Sequence, residues 1–224
     1  MPVVVLLAPA SGARVVVVSP HSDDGVLSLG ASMSRWARAG ARVELLTVFA
    51  LDPQSSAETG GWDRRGGFST EGEAARARRA EDASACAILG ARPVWLPFGS
   101  LDYERHGDED AVSRAVGDVA DGAQVVLLPG SPLTHPDHAW LTTLVSRSLE
   151  PARVAYYAEQ PYTKRAGRAV FEVERVPARD RLAKWRAIRC YRSQLPLLGL
   201  SGRLRAGPLA LAFAEERLAR GCAL

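Results

Sequence analysis

Residues 14–24 read Arg14-Val15-Val16-Val17-Val18-Ser19-Pro20-His21-Ser22-Asp23-Asp24. Four successive valines predict a strand buried on both faces, since β-branched side chains fit a pleated surface and a two-sided strand needs no polar alternation. The apolar run stops at Ser19-Pro20, and one imidazole and two carboxylates follow within four residues. A helix then reads from Gly25 to Ala39, stopped by Gly40. A buried strand that delivers polar side chains to a helix start is the opening unit of a parallel α/β sheet, and such sheets carry their sites beyond the strands' carboxyl ends.

The same alternation continues outward along the chain. Arg42–Phe49, Pro93–Leu96, Gln124–Leu128 and Arg153–Ala158 read as further strands, the fourth strand of the chain being closed by Pro129-Gly130. Glu73–Leu89, ended at Gly90, Asp110–Asp121 and Pro136–Leu149 read as the helices between them. Val170–Val176 alternates like an edge strand, and Asp180–Arg192 and Pro208–Arg220 read as closing helices. Leu51–Gly72 is rich in Gly, Ser and Thr, and a loop that long in a compact domain is usually functional or disordered. The expectation is a single α/β domain over residues 1–224, a Rossmann-like three-layer fold with a mainly parallel sheet.

Composition narrows the function. Hydrophobic residues at 47% and charged residues at 24% match an ordinary globular chain. A net charge of +3 is too small to argue for a nucleic-acid partner. Lys164 and Lys184 are the only lysines, an arginine preference that points to GC-rich bacterial coding rather than to function. Cys86, Cys190 and Cys222 form no zinc-knuckle spacing and read as small thiols in a reducing cytosol. The apolar run Val3–Leu7 lacks a preceding basic region and is too short to span a membrane, so a cytoplasmic protein with no membrane span is expected. Monomer and homo-oligomer are both compatible with the sequence.

Two polar clusters fall at predicted strand ends. In the first, Asp23 and Asp24 repel each other unless a cation or proton intervenes. Helix capping would account for one of them, not for both together with His21. Histidine with aspartate suits zinc or iron. The second cluster is His135-Pro136-Asp137-His138 after the fourth strand. With Pro136 at the helix start, His138 lies in the first turn and His135 at the cap, so both rings can face one crevice. No GxSxG nucleophile elbow and no GxGxxG phosphate loop is present.

Together the clusters resemble the PIG-L/LmbE-like deacetylase family, with its His-Pro-Asp-Asp-Glu-type and His-Pro-Asp-His-type motifs. The resemblance extends to Arg78-Arg79-Ala80-Glu81 with Leu89-Gly90, to Tyr157–Tyr162 and to Tyr191–Gln194, and spans roughly residues 14–195. It implies a zinc-dependent, or Fe2+-dependent, N-deacetylase acting on a small-molecule N-acetyl amino-sugar conjugate. It implies His21, Asp24 and His138 as metal ligands and Asp23 as general base. His135, oriented by Asp137, would be general acid or charge stabiliser, and protonated Asp23 is the other source of the leaving amine's proton. Arg78 and Asp102 would contact sugar hydroxyls. Ser22 stands where the family has Pro, and Gly25 where it has Glu, which removes a supporting carboxylate. Other readings are an amidase of the same family acting on another amide such as a thiol S-conjugate, a non-catalytic sugar- or metal-binding member, and an interaction module. The presence of Asp23 counts against a non-catalytic member, and an interaction module leaves both strand-end clusters unexplained.

The remaining conspicuous residues read as structural. His106 sits in a polar loop, and Arg76 and Arg79 belong to a solvated helix face. Trp36, Trp95, Trp140 and Trp185 read as packing residues. Trp62, with Arg64 and Arg65, reads equally as a lid or saccharide platform and as the anchor of a surface loop.

Overall fold

The valine run forms the central strand of a seven-stranded sheet. The computed structural model describes residues 9–103, 108–162, 171–199 and 206–220. His106, Cys222 and the Val3–Leu7 run lie outside them. The strands are β1 (Arg14–Ser19), β2 (Arg42–Thr47), β3 (Arg92–Trp95), β4 (Val125–Pro129), β5 (Val154–Tyr157), β6 (Glu172–Val173) and β7 (Arg217–Arg220), in the order β3-β2-β1-β4-β5-β7-β6. β1 to β5 are mutually parallel, and β7 is antiparallel to both β5 and β6. The fold is the expected three-layer α/β arrangement with a mainly parallel sheet.

The helices are α1 (Asp24–Arg38), α2 (Gly61–Arg65), α3 (Glu71–Leu89), α4 (Glu109–Ala120), α5 (Pro136–Ser146), α6 (Ala178–Ile188) and α7 (Ala206–Phe213). Strand residues alternate between two cores. Val15, Val17 and Leu45 pack with α1, α3, α6 and α7, and Val16, Val18 and Leu46 with α4 and α5. Helix α3 begins two residues before its expected start because Thr70 caps it. The Thr70 hydroxyl accepts from Glu73 N at 3.2 Å while Glu73 Oε2 accepts from Ser69 N at 2.9 Å. It ends at Gly90, which has φ +71°. No helix among the described residues is long and apolar enough to cross a membrane.

The expected C-terminal helix is corrected. Pro208–Arg220 is not one helix: α7 stops at Phe213, and residues 217–220 form β7. Tertiary contacts override the local preference. The carboxylate of Glu216 is fully buried and accepts from Ala31 N (2.9 Å), Ser32 N (2.7 Å), Ser32 Oγ (2.5 Å) and Lys184 Nζ (2.8 Å). That anchor on α1 turns the chain onto the sheet beside β5. Of the edge strand expected over Val170–Val176, the described residues 171–176 form only the two residues of β6. The Leu51–Gly72 segment is not structureless, since it contains α2.

The sheet order places the site. From β1 the chain winds outward through β2 and β3, then returns to the other side of β1 as β4 and β5. The crevice between the ends of β1 and β4 is therefore the topological switch point, where open α/β sheets bind ligands. Both polar clusters lie there.

Candidate active site

The turn after β1 is held by the last residue of the strand. Ser19 Oγ donates to the carbonyl of His21 (2.5 Å) and accepts from Gly25 N (2.9 Å), closing a tight loop that carries His21, Ser22 and Asp23 into α1. Gly25 is required by packing. A Cβ there would lie 2.6 Å from Leu45 Cδ1 and 3.3 Å from Ser19 Oγ, so no side chain fits without displacing a fully buried leucine. The second cluster opens α5. Pro136 occupies the first turn and His135 caps the helix, its Nδ1 accepting from Asp137 N at 3.3 Å.

All eight residues expected at the site, namely His21, Asp23, Asp24, Arg78, Asp102, His135, Asp137 and His138, line one cavity of about 470 Å3. Its deep end is a triangle of three acceptor atoms. His21 Nδ1 is 3.2 Å from Asp24 Oδ2 and 3.2 Å from His138 Nε2, and His138 Nε2 is 3.1 Å from Asp24 Oδ2. Lone pairs held this close need a shared proton or a cation between them. Tetrahedral zinc with bonds of about 2.0–2.1 Å to nitrogen and oxygen sets its ligand atoms about 3.3 Å apart, so this donor set fits such an ion. His135 belongs to a looser set, with ring-nitrogen atoms of His21, His135 and His138 within 4.8 Å of one another. Its ring is half-exposed and its Nδ1 is engaged by backbone, so the tighter set with Asp24 is the better chelate.

Asp23 differs from its neighbour. Its side chain is buried, yet its carboxylate has no hydrogen-bond partner among the described residues. Burial, and then the charge of Asp24, pushes its carboxyl well above the usual range. For Asp24 burial acts the same way but is overcome by His138 and His21, which hold its carboxyl well below that range. His135 is lowered by burial and by the two neighbouring histidines, which favours its neutral form.

Asp137 is oriented differently from its expected role. Its carboxylate reaches His21 Nε2 at 3.0 Å and accepts from Leu101 N at 3.0 Å, while His135 Nδ1 is 3.6 Å away. Asp137 thus orients His135 mainly through its backbone amide. Arg78 lies in the wall with Nη2 against Asp63 and 3.3 Å from Gln194 Oε1. Asp102 accepts from Trp62 N at 2.9 Å and so caps α2. Gly60 leaves that carboxylate its space, since a Cβ there would lie 2.3 Å from Asp102 Oδ2.

Two residues at or behind the cavity wall carried no decisive sequence signal. Trp62 lines the cavity, its indole N–H donating to Gln194 Oε1 at 2.9 Å, with Arg65 stacked 4.8 Å from its ring centre. Trp62 thus both anchors its segment, through Gln194, and lines the cavity. Glu159 accepts from His138 Nδ1 and from Leu133 N at 3.1 Å. It falls in the Tyr157–Tyr162 segment of the resemblance, but its contact with His138, 21 residues away, comes only from proximity in the fold.

The chain belongs to the PIG-L family: the model described as GlcNAc-PI de-N-acetylase matches residues 16–149, more than half of the chain. Sequence comparison with curated proteins gives no match. Among solved structures, the zinc-inhibited form of teicoplanin deacetylase is 22% identical with a TM-score of 0.75, covering 95% of this chain and 100% of that one. N,N'-diacetylchitobiose deacetylase from Pyrococcus horikoshii is 17% identical with a TM-score of 0.59, over 87% of this chain and 75% of that one. A 4-carboxy-2-hydroxymuconate hydratase from Pseudomonas putida is 22% identical with a TM-score of 0.64, over 92% and 95%. Likeness at these identities establishes the fold and leaves the reaction to be argued from the site.

Proposed function

We propose that the chain is a zinc- or iron(II)-dependent hydrolase that removes the N-acetyl group from an amino-sugar conjugate. The observation that carries this reading is the 3.1–3.2 Å triangle of His21 Nδ1, Asp24 Oδ2 and His138 Nε2 beside the carboxylate of Asp23, which has no hydrogen-bond partner among the described residues. Those three residues would hold the ion. A divalent cation bound there supplies Lewis acidity, drawing charge from a carbonyl oxygen and lowering the pKa of water.

The chain's own groups supply the rest. Asp23 accepts the proton of the attacking water, as its raised basicity suits it to do. His135 uses Nδ1 as an acceptor, so the neutral ring carries its proton on Nε2. That N–H is the donor for the carbonyl oxygen as negative charge develops there, and losing one such donor costs about 10²–10³ in turnover in other hydrolases. The proton held on Asp23 then passes to the departing amine, since His135 keeps its own for the oxygen.

The wall of the cavity supports a sugar substrate. Trp62, Tyr162 and Leu198 offer apolar surface, and Asp102, Arg78 and Gln194 offer polar contacts around it. Aromatic and apolar walls with a few placed polar groups suit a ring carrying hydroxyls. The family description and the chitobiose deacetylase both name N-acetylated sugars. A family amidase acting on another amide would share the same reacting groups and differ only along this wall.

Substitution separates the roles. Asp23→Ala should retain metal and lose turnover by about 10²–10⁴. His138→Ala should lose metal affinity. Undiminished acetate release by Asp23→Ala would refute the assignment of the base.

A further inference from the structure

We propose that Glu159 is a positioning residue that fixes the tautomer of His138 and thereby sets the metal affinity of the site. The proposal rests on the metal-binding reading above. The His138 ring faces two ways. Its Nε2 lies 3.1 Å from Asp24 Oδ2 and 3.2 Å from His21 Nδ1, inside the triangle, while its Nδ1 faces Glu159 Oε1. A neutral imidazole has one N–H and one lone pair. A carboxylate at Nδ1 can only accept, so it draws the hydrogen to Nδ1 and leaves the lone pair on Nε2, where a cation needs it.

Glu159 is built to hold that position. It is buried beyond the end of β5, and its second oxygen accepts from Leu133 N at 3.1 Å. Its own backbone N–H donates to Ser131 O at 3.3 Å. It therefore ties the loop between β4 and α5, in which Leu133 sits at φ +46°, a region that a residue with a branched side chain rarely adopts. One side chain so fixes both the ring that binds and the loop that presents it. His21 is served in parallel, with Asp137 Oδ2 at 3.0 Å from its Nε2 and its Nδ1 left free for the triangle. A glutamine at position 159 could still accept from Leu133, but its amide could also donate to Nδ1 and move the ring's hydrogen to Nε2.

The test is a competition titration of Zn2+ and Co2+ against a chromophoric chelator, using wild type and Glu159→Gln. The variant's dissociation constant should rise about 10–100-fold, with the unfolding midpoint of the metal-free protein close to wild type. A second measurement needs no variant. Ring-15N NMR of the zinc-loaded wild-type protein should show His138 protonated on Nδ1, and a chain with four histidines keeps the assignment tractable. Unchanged metal affinity in Glu159→Gln, with or without lower metal-free stability, overturns the proposal, as does an Nε2–H tautomer. Wild-type protein that binds neither metal overturns the metal reading itself, and the role of Glu159 with it.

Discussion

Gly25 shows how a single atom decides what a motif can contain. The family motif carries a glutamate at this position, and here the space is filled by Leu45 and the Ser19 hydroxyl. Introducing the carboxylate should therefore strain the turn rather than add a supporting contact. Gly25→Glu is expected to lower stability by about 1–3 kcal/mol through overpacking, read as a shift of the urea midpoint at unchanged slope. A variant as stable as the parent would show that the β1–α1 turn has room not seen in this structure. The chemistry-bearing residues were legible at this scale because their types are few: three of the four histidines and both paired aspartates announced themselves by position at strand ends. The packing of Gly25, the shared hydroxyl of Ser19 and the carboxylate of Glu159 were not, since each depends on a neighbour brought close only by folding.

At the scale of elements, the Gly-, Ser- and Thr-rich segment 51–72 contributes a wall of the cavity through α2. Helix α2 is only five residues long, too short to persist without external ties. Asp102 caps it, Gln194 holds the Trp62 indole, and Asp63 joins both Arg78 and Tyr103. These ties come from three other parts of the chain, which explains why periodicity within residues 51–72 does not reveal the helix. The account predicts that Trp62→Ala weakens substrate use more than it slows the chemical step. Loss of about 1 kcal/mol of aromatic contact corresponds to a rise in KM of about fivefold, with kcat less affected, in steady-state assays on an N-acetylglucosaminide. An unchanged KM would remove Trp62 from the substrate wall. The corrected C-terminal helix has the same origin: residues 208–220 have helical local preference, and the Glu216 anchor on α1 with pairing to β5 redirects them.

Across the whole molecule the two ends of the sheet do different work. At the amino ends of the strands Glu44 receives Arg14, at 3.0 and 2.8 Å, and Arg92 at 2.9 Å, joining β1, β2 and β3 away from the site. Hydrogen bonds from Arg14 foremost, then from Arg92, overcome burial and hold the Glu44 carboxyl below its ordinary 4.5. A carboxyl depressed on folding contributes stability above its unfolded value and loses that contribution as pH falls through the folded one. Glu44→Gln should therefore melt lower than wild type at pH 7, and the gap should close below about pH 4.5. A gap that persists unchanged into acid would assign the effect to packing. At the carboxyl ends, the β1–β4 switch point gathers the reacting groups. This architecture was legible from the alternation of apolar runs, but it does not choose the reaction, as its likeness to both deacetylases and a hydratase shows. The choice rests on the triangle and on Asp23. The most direct test is acetate release from a panel of N-acetylglucosamine conjugates by the purified protein, with metal content measured before chelation, after it and after re-addition of zinc. The account predicts about one divalent ion per chain, acetate release that disappears on chelation, and recovery with zinc. Protein that stays free of metal under loading conditions, or acetate release indifferent to the chelator, would contradict it.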